Sequence, residues 1–161
     1  MSTQVRIAKD SEQDLVHQLD QFYLYEFSRY IPDYLKVAAD GLFHDGDYLT
    51  FWEDSNKYPY LVEHKSEYAG FALVEDLGSH FLMNQFFVML KFQGSGVARF
   101  AALDIFNRHR GHWQVESLLS NRKSEGFWPK IINAYATSGM QTSLQEPNRT
   151  HHVYAFSNSD S

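Results

Sequence analysis

Hydrophobic positions change period several times along this chain, and each change marks an element. Val5 and Ile7 alternate with polar neighbours, the period-two pattern of a short strand. From Asp10 the spacing lengthens. Leu15, Leu19, Phe22, Phe27 and Tyr30 recur at three- to five-residue intervals and predict one face of an amphipathic helix that stops before Pro32. Asp10 and Ser11 are its capping candidates, and Glu12 and Asp14 lie in the first turn, where the helix dipole favours anions. A second, shorter helix is expected over Tyr34 to Ala39, ended by Gly41.

Three strand-like runs follow: Tyr58 to Glu63, Tyr68 to Glu75 and His80 to Leu90. They are rich in aromatic and β-branched residues and are parted by Lys65-Ser66 and Gly78-Ser79, as in an antiparallel meander. The third run is apolar on both faces except at Asn84 and Gln85, which predicts a central strand covered on both sides. Beyond Gly94-Ser95-Gly96 the helical period returns at Val97, Phe100, Leu103 and Phe106. Arg108, His109 and Arg110 sit at the end of that helix, where cations suit the dipole, and Gly111 closes it. Trp113, Val115 and Ser117 to Leu119 form the next strand. Ser120 or Asn121 caps a helix through Phe127, Trp128, Ile131, Ile132 and Tyr135. Two strands, about Met140 to Leu144 and Thr150 to Phe156, flank Pro147-Asn148. The order β-α-α-β-β-β-α-β-α-β-β predicts a mixed α/β (α+β) fold. Residues 3–156 read as one domain and residues 157–161 as a frayed tail.

At 161 residues the chain has room for one domain and one core. Its net charge of −6 argues against a protein that grips phosphate backbones and mildly favours a cationic small substrate. The absence of cysteine excludes disulfide scaffolds, thiolate metal sites and cysteine nucleophiles. Asp10, Glu12 and Asp14 interrupt any leader-like apolar run near the start. The longest apolar stretch, Phe86 to Leu90, is far short of the roughly 20 residues a membrane span needs. A cytoplasmic protein is the expectation.

The chemistry concentrates between Val88 and Phe106, where a strand leads through a glycine turn into a helix. Gly94 and Gly96 permit a tight turn and a close approach of ligand to backbone. The amides of Gly96 to Arg99 open a helix, have no intrahelical acceptor and suit a phosphate or diphosphate. A plain strand-to-helix turn would need the same glycines. Two familiar phosphate loops do not fit. The dinucleotide fingerprint would require a small residue where Arg99 stands, and no Gly-Lys-Ser/Thr follows.

Gln93-Gly94-Ser95-Gly96-Val97-Ala98 does resemble the Gln/Arg-x-x-Gly-x-Gly/Ala signature of the GNAT acetyltransferases. Trp113-Gln-Val115, then Asn121-x-x-Ser124-x-x-Phe127-Trp128-x-Lys130, resemble that family's fifth strand and last long helix. Tyr23-x-Tyr25-Glu26-x-Ser28, with Gly41-Leu42-Phe43 beyond it, resembles the N-terminal part of a bacterial subgroup, so the likeness runs from about Val5 to Phe156. The resemblance implies a central, mostly antiparallel sheet with helices on both faces. It implies acetyl transfer from acetyl-CoA to a primary amine, with no metal, and a homodimer would be unsurprising. Backbone amides of Phe86 and Val88 would hold the acetyl carbonyl and the pantetheine arm. Gln93, Gly94, Ser95, Gly96, Val97, Ala98 and Arg99 would line the diphosphate, and Asn121 and Phe127 would flank the pantetheine and adenine side. The strands bearing Val88 and Trp113 would splay apart around the cofactor.

Two departures from the family's pattern matter. Many members carry a basic carboxylate on the fourth strand, which here offers only Asn84 and Gln85, and the usual tyrosine of the last helix is replaced by Trp128. Indole is a poor proton source for a leaving thiolate. The best alternative acid is Glu26, on the apolar stripe of the first helix, as base or as the group that binds the substrate amine; Tyr23, Tyr25 and Tyr30 would share its pocket. As a plain surface residue, Glu26 would instead be solvated or paired with Arg29. Glu116 is a weaker candidate. A catalytically silent acyl-CoA-binding module of the same fold is the alternative that these departures keep open. No histidine pair has chelating spacing, since His109 and His112 straddle a helix end and His151 and His152 face opposite ways.

Overall fold

The computed structural model describes residues 2–44, 50–147 and 149–159. Seven strands form one sheet in the order β1-β2-β3-β4-β5-β7-β6. They are β1 (Thr3–Ile7), β2 (Lys57–His64), β3 (Glu67–Asp76), β4 (Phe81–Val88), β5 (His112–Leu118), β6 (Gln141–Leu144) and β7 (His151–Ser157). Four helices accompany them: α1 (Gln13–Phe27), α2 (Thr50–Glu53), α3 (Val97–Arg108) and α4 (Arg122–Tyr135). The meander β1 to β4 is antiparallel, as is the group β5, β7 and β6. The parallel pair β4 and β5 joins them, so the fold is the mixed α+β arrangement that the element order predicts. No helix among the described residues is long and apolar enough to cross a membrane.

Helices cover both faces. One core layer gathers α3 and α4, through Val97, Ala101, Ile105, Trp128 and Ile132, against Val62, Val74, Met83 and Val115. The opposite layer sets Val16 and Leu19 of α1 and Phe51 of α2 on Leu61, Phe71, Leu73 and Phe87. The entry to α1 is fixed by Arg6 of β1, whose guanidinium meets both carboxylate oxygens of Glu12 at 2.8 Å. That pairing holds the Glu12 carboxyl at about 2.

Several expectations need correction. Residues 34–39 form no helix; six residues following a proline turn are too few to hold one without a packed face. The four-residue α2 was not anticipated. Phe22 is 53% exposed, and the stripe of α1 continues through Tyr23 and Leu24, because the five-residue step from Phe22 to Phe27 leaves the helical face. Phe100 likewise faces out, while Ala101 and Ala102 let α3 approach the sheet closely. β4 is not covered throughout: its burial lapses from Asn84 to Phe86. Ser157, expected in the tail, instead closes β7. Asn158 is buried, donates to the Phe106 carbonyl at 2.8 Å and accepts from the Gly111 amide at 2.9 Å. Asn148, Asp160 and Ser161 lie outside the described residues.

The junction of β4 and β5 positions the site. Only Phe81, Leu82 and Met83 pair with Trp113, Gln114 and Val115. This closed end is plugged with rings. Trp113 lies 5.4 Å from Phe81 and 4.9 Å from Phe106, and its indole donates to the His109 carbonyl at 2.8 Å. His109 in turn meets the Tyr60 hydroxyl at 2.6 Å, and burial pushes that phenol up to about 12. Past Met83 the register of β4 against β3 shifts by one residue at Asn84, a bulge, and β4 leaves β5. At the far end of β4, Gly70 of β3 stands opposite Val88 and permits a close approach of the two strands, since a Cβ would lie 1.9 Å from the Phe87 carbonyl oxygen.

Candidate active site

The divergence of β4 and β5 opens a cleft of about 900 Å³ running through the sheet. One wall is mainly backbone. The Met89 amide donates to Ala69 of β3, so strand alternation turns the amides of Phe86 and Val88 away from β3 and into the gap. Gln93 reaches back to the Val88 carbonyl at 3.3 Å. Gly94 and Gly96 both adopt left-handed φ, 80° and 88°, which swings the chain into α3. No side chain caps that helix, so the first-turn amides after Gly96 have no intrahelical partner and keep their pull on an anion. Arg99 adds a cation at the same mouth.

The anticipated residues mostly converge. Phe86, Val88, Gln93, Gly94, Gly96, Ala98, Arg99, Asn121 and Phe127 all line the cleft. Ser95 and Val97 contribute no lining side chain: the Ser95 hydroxyl bonds to the Phe92 carbonyl, and Val97 is buried in the core. Asn121 caps α4, accepting from the Ser124 amide at 3.2 Å. Phe127 and Trp128 stand against Phe86, with ring centroids 6.2 and 5.1 Å away, so Trp128 is wall material.

The other wall is made of side chains. Tyr23, Glu26, Phe27 and Tyr30 approach from α1 and the residues after it, whereas Tyr25 is 73% exposed and turns away. Glu26 has no ion-pair partner among the described residues, and the Arg29 guanidinium lies over the Tyr30 ring instead. Glu116 and Ser117 line the cleft from β5, and Ser117 carries a buried hydroxyl with no hydrogen-bond partner among the described residues. Lys123 and Lys130 contribute from α4. His151 of β7 also faces the cleft, and burial holds its imidazole below the ordinary value despite the nearby Glu116 carboxylate. Ser117, Lys123 and His151 were not singled out from sequence as ligand-facing. Strand register alone brings His151 opposite Leu118, and no local motif signals it. Among the described residues no cluster of histidines and acids could hold a metal ion.

No family model matches this chain, and no curated protein matches it in sequence. Solved structures do. An acetyltransferase from Thermus thermophilus superposes with a TM-score of 0.71 at 14% identity, covering 98% of this chain and 97% of that one. A GNAT-family acetyltransferase from Streptococcus agalactiae gives 0.67 at 14% identity, with 98% and 96% covered. Spermidine N-acetyltransferase from Vibrio cholerae, in complex with CoA and spermine, gives 0.64 at 11% identity over 98% and 96%. The fold is that of the GNAT acetyltransferases. Within the GNAT fold, the β4–β5 gap, the glycine turn and the start of α3 form one continuous surface in this chain.

Proposed function

We propose that this protein is an N-acetyltransferase that moves the acetyl group of acetyl-CoA to a primary amine by direct attack in a ternary complex. The observation that carries the reading is the juxtaposition of two sets of free backbone donors in one cleft. The gap-facing amides of Phe86 and Val88 lie on one strand, and the uncapped amides that open α3 lie just beyond it. A ligand with a carbonyl or amide arm at one end and a diphosphate at the other matches that pattern. The unpartnered Ser117 hydroxyl fits the same idea, because a buried orphan of this kind costs about 1–3 kcal/mol unless something bonds to it.

In this reading Gln93 to Arg99 cradle the diphosphate through their backbone, and Asn121 and Phe127 flank the pantetheine and adenine side. Phe86 and Val88 polarise the thioester carbonyl. Glu26 receives the acceptor ammonium, with Tyr23 and Tyr30 walling its alkyl part. The negative net charge and the cleft carboxylates Glu26 and Glu116 suit a cationic amine. The similar Vibrio cholerae enzyme is named for such a substrate.

Acetyl-CoA at about 100 times its dissociation constant should stabilise the protein by roughly 2.7 kcal/mol, a rise of a few degrees in Tm. A panel of a polyamine, an aminoglycoside, an amino acid and a peptide with a free N-terminus, read by thiol release, then tests chemistry. No thermal shift removes the reading. A shift without thiol release from any amine leaves an acyl-CoA-binding module.

A further inference from the structure

The cleft holds a third titratable side chain beside the two carboxylates, an imidazole held by its own hydrogen bonds. His151 begins β7, opposite Leu118 at the end of β5. Around it three elements meet. The Leu119 amide donates to the Thr150 carbonyl at 3.0 Å, and the Ser120 hydroxyl reaches the Tyr30 carbonyl at 3.4 Å, so the ends of β5 and α1 converge with the start of β7. The imidazole therefore stands at the amine end of the proposed site, in the same cleft as Glu26 and Glu116.

Its hydrogen bonds fix which nitrogen carries the proton. Nδ1 lies 3.0 Å from Oε1 of Gln145 and 2.9 Å from the Thr150 hydroxyl oxygen. The Thr150 hydroxyl itself donates to that same Gln145 oxygen at 3.2 Å. An amide oxygen only accepts, so Nδ1 must carry hydrogen and donate. The neutral ring then carries its lone pair on Nε2, and both polar contacts described for the ring are on Nδ1. Burial disfavours the charged imidazolium and so favours this neutral form.

We propose that His151 is the general base of the reaction, with Gln145 and Thr150 as the positioning residues that hold it in the Nδ1–H tautomer. This rests on the acetyl-transfer reading above. An N–H bond of the acceptor ammonium breaks and its proton passes to Nε2. The freed nitrogen pair forms the bond to the thioester carbonyl carbon, and the C–S bond breaks with its pair on sulfur. The second proton lost from nitrogen ends on sulfur as the thiol, and the imidazolium returns its proton to water. Ammonium plus acetyl thioester thus gives acetamide, thiol and one proton, with no change of oxidation state. The charged and titratable groups that share the cleft with the ring are Glu116 from β5, Tyr23, Glu26 and Tyr30 from the α1 side, Arg99 from α3, and Lys123 and Lys130 from α4.

The test uses the full chain, acetyl-CoA and whichever panel amine the wild type acetylates fastest. His151→Ala should lower kcat about 10²-fold while leaving the acetyl-CoA-induced rise in Tm unchanged. Imidazole added to the buffer should restore part of the rate, and the acid limb of the kcat/KM profile should disappear. Gln145→Leu should lower kcat less, with KM for acetyl-CoA unchanged, because the ring stays but its tautomer is no longer held. Wild-type kcat in His151→Ala overturns the assignment. So does a loss that imidazole does not restore while the acid limb persists, and so does a wild type that is stabilised by acetyl-CoA yet acetylates no amine. Absence of stabilisation by acetyl-CoA in the wild type is a different failure, that of the underlying reading.

Discussion

The two walls of the cleft are built differently. On the α3 side the cleft is faced by backbone amides, placed by a bulge, a strand edge and two left-handed glycines within the span Asn84 to Arg99. On the α1 side they are side chains, Glu26, Glu116 and His151, drawn from three elements far apart in sequence. Backbone donors survive most substitutions as long as the turn can form. A side-chain wall changes chemistry with every replacement. In the proposed reading, the backbone wall is a generic grip for the cofactor and the side-chain wall a specific surface for the amine.

The largest blow to that contrast is Gly96→Val. A β-branched residue is strained at φ 88° and would pull the first-turn amides of α3 out of line. We expect the roughly 2.7 kcal/mol of stabilisation by acetyl-CoA to vanish, while the unliganded protein still melts cooperatively. Retention of the full thermal shift would mean that the backbone wall is not the diphosphate site. Smaller and on the opposite wall, Glu26→Gln should lower kcat/KM for a cationic amine about tenfold, or about 1.4 kcal/mol, with the acetyl-CoA shift intact. A rise in KM alone identifies Glu26 as an ammonium receptor, and a fall in kcat alone moves it into proton transfer. An unchanged kcat/KM removes it from the site.

The smallest effect concerns pH. Burial depresses both His109, at the closed end of the junction, and His151, in the open cleft, below the ordinary 6.5. The unfolded chain therefore takes up protons first as the solution acidifies, and stability present above about pH 6.5 should decline below it. Denaturant midpoints measured between about pH 7 and pH 5 should fall, and His109→Gln should flatten the slope. A midpoint that rises on acidification would contradict the burial of these rings.

What the sequence reveals follows the same division. The glycine turn, the capping Asn121 and the meander are local patterns, legible because neighbouring residues suffice to specify them. Glu26 is legible as a carboxylate in helical register with the apolar Leu15 and Leu19. Phe22 and Phe100 mislead because a large ring looks like core, whereas Leu24, Ala101 and Ala102 fill the buried faces instead. His151 is illegible for a different reason. Its adjacency to His152 shows only that the two face opposite ways, and which one meets the cleft is decided by pairing with β5 across more than thirty residues of intervening chain.

The short contact between Phe81–Met83 and Trp113–Val115 has a mechanical meaning. It joins a four-stranded leaf, β1 to β4, to a three-stranded leaf, β5, β7 and β6. The rings of Phe81, Phe106 and Trp113 pack tilted and edge-on beside this contact and fill the closed end from which the two leaves diverge. Phe81, Phe106 and Trp113 lie behind the cleft and are not among its lining residues, so changing their bulk would alter the support of the opening without altering a group that lines it.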